Sequence, residues 1–245
     1  MKTTRAIIKA SLSCILWLSI IVAINASDPD PLQDFCVADT TQANVRVNGF
    51  VCKDPKAVNA SDFLFRGLGN PPSTNNSFGF NITQANVQTL PGINTLGISI
   101  NHGVFAHGGL NPPHIHPRAT EIIFVMEGTI LVGFISTNNV LFSQKLEKGD
   151  VFVIPRGLVH FQQNVGTSYA TTITALNSQL PGVQVVASAL FGANPPIPQG
   201  VLAKAFNVND QQIKELIAGQ GSTPASPPVG CFEPAPNKSL ILLGG

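Results

Sequence analysis

Charged side chains are scarce: only 11% of the 245 residues are Asp, Glu, Lys or Arg, and the two signs nearly cancel at a formal +1. That balance excludes the basic patches with which proteins hold nucleic acid or anionic membranes. A hydrophobic share of 44% excludes a disordered chain and suffices for one sizeable core. Long apolar runs are missing too, apart from SLSCILWLSIIVAI near the N-terminus. That run is short for a bilayer span, follows Lys2, Arg5 and Lys9, and ends at Ala26 and Ser27 before the polar DPDPLQDF. The layout is that of a secretory signal peptide, so residues 1–26 are read as a leader cleaved after Ala26 or Ser27. The final LILL is too short for a lipid-anchor signal, and no membrane partner is expected.

Loss of the leader leaves 11 basic against 13 acidic residues, a net charge of −2. Cysteine is sparse as well, and with Cys14 gone only Cys36, Cys52 and Cys231 remain. Export permits a disulfide, and Cys36 with Cys52 would close a short loop worth roughly 3 kcal/mol. Cys231 is then either a free or capped thiol or one half of an intermolecular bridge. Asn59, Asn75, Asn81 and Asn237 each open a glycosylation sequon, which fits an exported chain.

The organisation follows from where apolar segments recur. Residues 27–75 read as an irregular arm packed on the main body, since glycine, proline and polar residues interrupt every apolar run. Residues 76–190 carry TLGISI, EIIFVM, TILVGFIS, VLFSQKL, DVFVIP, LVHFQQN, YATTITAL and VQVVASALF between turn signals. Many short strands separated by Gly, Pro and Asn turns indicate an all-β sandwich or barrel. Lys148-Gly149-Asp150 is one such turn rather than an adhesion motif. In the segment 191–219, Ile213, Leu216 and Ile217 recur at helical spacing, with Gly219 able to end the helix. Residues 220–245 are rich in proline and small polar residues and read as a mobile tail.

One stretch concentrates metal-binding chemistry. In GGLNPPHIHPRATEIIFVMEG, His114 and His116 are two apart and point the same way on a strand. Glu121 has the wrong parity to join them on one regular strand, but Pro117 breaks the ladder and a new segment starting at Glu121 can reset the inward face. His160, behind its own Pro155-Arg156-Gly157 turn, is a fourth candidate. Three imidazoles and a carboxylate suit a divalent transition metal. His102 and His107 have no such partners and are read as non-ligands.

The residues Gly108 to Gly128 fit G-x5-H-x-H-x4-E-x6-G, and Gly149 to Asn164 fit G-x5-P-x-G-x2-H-x3-N, the two cupin motifs. With PLQDFCVAD, VNGFVCK and LFGANPPIP, the chain resembles the plant germins and germin-like proteins over nearly its whole mature length to about residue 217. The resemblance implies a cupin jelly-roll β-barrel with an N-terminal arm stapled by a Cys36–Cys52 disulfide, followed by short C-terminal helices. It further implies Mn(II) held by His114, His116, Glu121 and His160, a homohexamer built as a trimer of dimers, and a secreted glycoprotein of the apoplast or cell wall. Germins oxidise oxalate, whereas germin-like relatives often dismutate superoxide or lack established catalysis. Asn101 and Asn111 match the positions of two asparagines thought to hydrogen-bond oxalate, and each also has a plain structural reading at a strand end or an Asn-Pro-Pro turn. The surrounding NHGVFAHGGL departs from germin oxalate oxidases at Val104 and His107. The expectation is therefore a stress- or defence-related protein with superoxide dismutase activity, with an oxalate oxidase or a non-catalytic wall or receptor protein as the alternatives.

Overall fold

The computed structural model describes residues 36–41 and 49–220. The leader, Cys231, the Asn237 sequon and the tail from residue 221 onward lie outside the described residues. Ten strands run in order: β1 (Phe80–Ala85), β2 (Ser99–Phe105), β3 (Leu110–Ile115), β4 (Glu121–Glu127), β5 (Ile130–Ile135), β6 (Leu141–Leu146), β7 (Val151–Ile154), β8 (His160–Asn164), β9 (Ala170–Leu176) and β10 (Gln184–Val185). Three helices follow, α1 (Val186–Phe191), α2 (Gln199–Phe206) and α3 (Asp210–Gln220).

The strands form two five-stranded antiparallel sheets, ordered β1-β2-β9-β4-β7 and β10-β3-β8-β5-β6. Alternation along each strand decides which side chains enter the space between them. On β9, Ala170, Thr172, Thr174 and Leu176 are buried while the residues between are half-buried. On β4, Glu121, Ile123 and Val125 are buried and Ile122, Phe124 and Met126 are exposed. Phe105, Ile123, Val125, Ile130, Val132, Leu146, Ile154 and Ala170 make the apolar core at one end of that space.

Tight turns keep the strands in register. Gly128, between β4 and β5, sits at φ +82°, and a Cβ there would lie 2.5 Å from the Ala170 Cβ. Glycine is required on both counts.

The arm is fixed to the sheets at two places. Cys36 and Cys52 form a disulfide with Cα atoms 4.9 Å apart, closing a sequence separation of 16. Asn94, fully buried, accepts from the Phe50 N–H at 3.1 Å and donates to the Phe50 carbonyl at 2.8 Å and the Cys36 Sγ at 3.4 Å. Ala38 and Phe50 then pack on Val87, flanked by Ile93 and Leu180.

Two segments differ from the sequence reading. VQVVASALF, read among the strands, gives only the two-residue β10 before turning into α1. Its valines satisfy the β pattern, but the Ala-Ser-Ala that follows is compatible with a helix, and β10 pairs only with the end of β3. Gly219 does not stop the last helix, which continues to Gln220. Ile213 is buried as its apolar spacing requires, whereas Leu216 is exposed.

Candidate metal centre

The chain places His114, His116, Glu121 and His160 together by bringing two sheets face to face. His114 lies on β3 directly opposite His160 on β8. Glu121 opens β4 in the other sheet, opposite Leu176 and Ile154. The parity problem posed by Glu121 is thus solved by crossing between sheets: β3 ends at Ile115, Pro117 stands in the connection, and β4 begins at Glu121.

A bulge sets the aim of His114. Asn111 pairs with Gln162 and His114 with His160, so β3 carries one residue more than β8 over this interval. The extra residue lets Asn111 and His114, of opposite parity, reach the same face. Pro112 and Pro113 occupy the bulge, where no ladder N–H is needed.

All four residues are buried, none more than 6% exposed, and one potential ligand atom from each lies within 4.8 Å of all the others. The ring centroids of His114 and His160 are 4.1 Å apart. The Glu121 Oε2 is 3.2 Å from the His116 Nε2 and 3.1 Å from the His160 Nε2.

The outer ring nitrogens are already committed. Nδ1 of His114 donates to the Pro112 carbonyl at 2.8 Å, that of His116 to the Gly182 carbonyl at 2.6 Å, and that of His160 to the Leu158 carbonyl at 2.8 Å. In the neutral rings this fixes the proton on Nδ1 and leaves each Nε2 a lone pair facing the cluster, the orientation shared by metal-ligating histidines. Gly182 holds its carbonyl in place from φ +70°, with the Arg118 guanidinium where a Cβ would go.

The electrostatics express the same crowding. Burial, then the neighbouring His160 and His116, push His114 down to about 3. Burial alone would also lower His116, but the hydrogen bond and charge of Glu121 and the Gly182 carbonyl outweigh it and raise the pKa. Burial would raise Glu121, yet hydrogen bonds and charge from His116 and His160 hold it well below the usual carboxylate range. Without a cation, a proton on Nε2 must make each ring an imidazolium to meet Glu121, which burial opposes. A divalent cation satisfies all four donors at once, so the residues fit a metal.

The remaining predicted positions fall elsewhere. His102 is on the outer face of β2 with Nδ1 bonded to the Leu68 carbonyl at 2.7 Å, and His107 is exposed in the following turn. Neither joins the cluster. Asn101 is buried on β2, and Asn111 Nδ2 donates to the Gln162 Oε1 at 2.6 Å. Asn164, the last residue of the second motif, is a loop clamp: its Nδ2 donates to the Ala106 carbonyl at 2.8 Å and the Ser168 carbonyl at 2.6 Å. Sequence reasoning missed Gln162 and Thr174, whose alternation in LVHFQQN and YATTITAL placed them inside but gave no sign of a polar interior.

The cupin family profile matches residues 66–214. Germin-like protein subfamily 2 member 1 of Arabidopsis thaliana is 53% identical over 192 residues, covering 78% of this chain and 87% of that protein. Germin-like protein 1-1 of Oryza sativa subsp. japonica is 54% identical over 206 residues, covering 84% and 94% respectively. Among solved structures, a recombinant oxalate oxidase in complex with glycolate matches with a TM-score of 0.78 at 46% identity, covering 80% of this chain and 100% of that one. With both motifs, the two-sheet fold and similarity along most of its length, the chain belongs to the germin-like proteins of the cupin family.

Proposed function

We propose that this protein is a secreted, manganese-dependent oxidoreductase of the plant apoplast that dismutates superoxide in stress or defence. One observation carries the metal reading: three buried imidazoles have Nδ1 tied to main-chain carbonyls, so three Nε2 lone pairs and one carboxylate share a point inside the barrel. Manganese, when bound, supplies one-electron exchange between its divalent and trivalent states. The chain fixes the ring tautomers, places the Glu121 charge beside the cation and keeps bulk water from the four donors. That burial favours a small substrate such as superoxide, two of which with two protons yield dioxygen and hydrogen peroxide. Manganese stands low in the affinity order of divalent metals, so its identity is settled by elemental analysis of protein from its native source.

Oxalate oxidation is the second reading, favoured by the 46% identity to the oxalate oxidase in complex with glycolate. There oxalate, dioxygen and two protons give two carbon dioxide molecules and hydrogen peroxide. Paired assays of metal-loaded protein for superoxide loss and for peroxide release from oxalate separate the readings. The first is expected. Stoichiometric manganese with activity in neither assay replaces the enzyme with a wall-binding protein.

Other features support export and assembly. The Cys36–Cys52 disulfide suits an oxidising compartment, and no helix of the described residues is long and apolar enough to cross a membrane. Asn59 and Asn75 are exposed and available for glycosylation, whereas the Asn81 Nδ2 donates to the Ser73 carbonyl at 2.7 Å. Exposed apolar residues on β4 and β7 support the hexamer, a trimer of dimers, as the assembled form.

A further inference from the structure

The histidine and glutamate cluster lies at one end of the barrel, and the other end is filled. His114 is next to last on β3, His116 follows that strand, and Glu121 and His160 open β4 and β8. The opposite ends of β2, β4, β5 and β9 supply Phe105, Val125, Ile130 and Ala170 to the apolar core. A small solute therefore reaches the four donors from the end formed by the segments 86–98, 116–120, 136–140, 155–159 and 177–183. Charge is distributed unevenly about that end. The five segments contain no Asp, Glu or Lys and two arginines, Arg118 and Arg156, both exposed. The arm bonds to 86–98 through Ala38 and Pro91, but its described residues add no net charge, since Lys53, Lys56 and Arg66 balance Asp39, Asp54 and Asp62. In α2 and α3, Lys204 and Lys214 likewise balance Asp210 and Glu215. The filled end carries Glu127, Glu147 and Asp150 against Lys145 and Lys148. With so few charges elsewhere, two cations at the open end set the sign of the local field.

Both arginines are held in place beside His116. Arg118 Nε donates to the Leu180 carbonyl at 2.7 Å, and its guanidinium lies against Gly182, where a Cβ would sit 2.7 Å from one terminal nitrogen. The Gly182 carbonyl is the acceptor for His116 Nδ1, so one residue and one ring separate this charge from the cluster. That span is on the order of the Debye length, about 8 Å at physiological ionic strength, so the charge is felt at the cluster and weakened by added salt. Arg156 Nε donates to the Pro117 carbonyl at 3.1 Å, and the next residue, Gly157, donates its N–H to the His116 carbonyl at 3.3 Å. Nothing cancels either charge. Among the described residues, the ion pairs outside the cluster are Lys53 with Asp62 and Lys145 with Glu147.

We propose that Arg118 and Arg156 form a cationic entrance that draws small anions to the metal cluster. The proposal rests on the metal reading above and adds how substrate reaches that site. A guanidinium stays protonated throughout the working pH range, and with Nε committed to a carbonyl each arginine still presents its terminal N–H donors to an arriving anion. Attraction of this kind speeds association and falls as ionic strength rises.

The test uses manganese-loaded protein, with metal content measured on every sample. It reads the association rate of azide by stopped flow and the second-order rate of superoxide loss by pulse radiolysis, each from about 0.01 to 0.15 M salt. Both rates should fall in the wild type as salt rises. Arg118→Gln and Arg156→Gln should each slow azide association about threefold at low salt and the double variant about tenfold, with little salt dependence left in the double variant. Arg118→Lys and Arg156→Lys keep the charge and should stay within about twofold of wild type. Lys148→Gln, at the filled end, makes the same change in net charge and should match wild type. Should Arg118→Gln lose metal because the Gly182 loop moves, Arg156→Gln decides alone. A wild-type azide rate indifferent to salt, an equal loss in Lys148→Gln, or lysine variants as slow as the glutamine ones overturns the proposal. Salt-sensitive azide uptake without superoxide loss upholds the entrance and overturns the dismutase reading, whereas wild-type protein that holds no metal removes the metal reading and this inference together.

Discussion

Glu121 is the only acid in the cluster and the only member from its sheet, so its contacts decide how the site responds to protons. In metal-stripped protein His114 sits at about 3, below its ordinary 6.5. Between those values the unfolded chain takes up a proton that the folded site refuses, so this group's contribution to stability falls as pH drops from 6.5 towards 3. Glu121, held charged below 4.5, acts in the same sense: its contribution is present above 4.5 and is lost as pH falls through the folded value. The raised pKa of His116 works against both, stabilising below 6.5 and losing that effect as pH rises through the folded value. Metal-stripped wild type should therefore lose urea resistance from pH 6.5 down to 4, and His114→Gln should flatten that slope; an unchanged slope would show that His114 is not the titrating group. With metal present, His160→Ala should reduce bound manganese sharply because a ligand is removed, while His107→Ala should retain it. Full occupancy in His160→Ala would remove His160 from the ligand set. His114 and His116 were legible because strand periodicity fixes where residues two apart point. The partnership of Asn111 with Gln162 was not, because a bulge shifts parity without leaving a pattern in the sequence.

The arm shows how an element with little regular structure is held. Ala38 and Cys52 form an isolated bridge, and Asn94 supplies both hydrogen bonds that Phe50 would otherwise find in a sheet. Asn94→Ala removes the side chain that bonds both the Phe50 N–H and its carbonyl inside the core, at a cost of about 1–3 kcal/mol. Its denaturation midpoint should fall accordingly while metal content is retained. Loss of metal together with stability would mean that the arm supports the site itself. Strand elements were legible where alternation was clean, as in β4, β7, β8 and β9. They were read only in part where glycine and proline interrupt it: TLGISI marks just the start of β2, which runs on through Gly103 to Phe105, and the strand that carries His114 begins at Leu110 and passes through Pro112 and Pro113. Those residues signal turns on their own, and only pairing with neighbouring strands overrides the signal. The helix α1 was lost for the converse reason, since valines leading into a short helix carry the composition of a strand.

At the scale of the molecule, the two-layered sheet architecture follows from the number and shortness of the strands, but which faces stay uncovered does not. The outer surface of β4 and β7 is apolar. Ile122, Phe124 and Met126 are 45%, 41% and 42% exposed, and Val151 and Val153 are 57% and 49% exposed. Register makes them neighbours, because Ile122 pairs with Val153 and Phe124 with Val151. Among the described residues β7 is also the edge of its sheet, with no strand paired to the far side of its backbone ladder. Monomers seldom leave a contiguous apolar patch beside an open edge, and a second copy of the chain would cover both. Phe124→Glu combined with Val153→Lys places charges on that face without touching inward residues, and the exchange leaves net charge unchanged. The wild type is expected to assemble, and the double variant should shift to a smaller species in light scattering at micromolar concentration, with manganese content preserved. A variant of undiminished mass would move the interface elsewhere on the molecule, and a monomeric wild type would remove the hexamer from the proposal altogether.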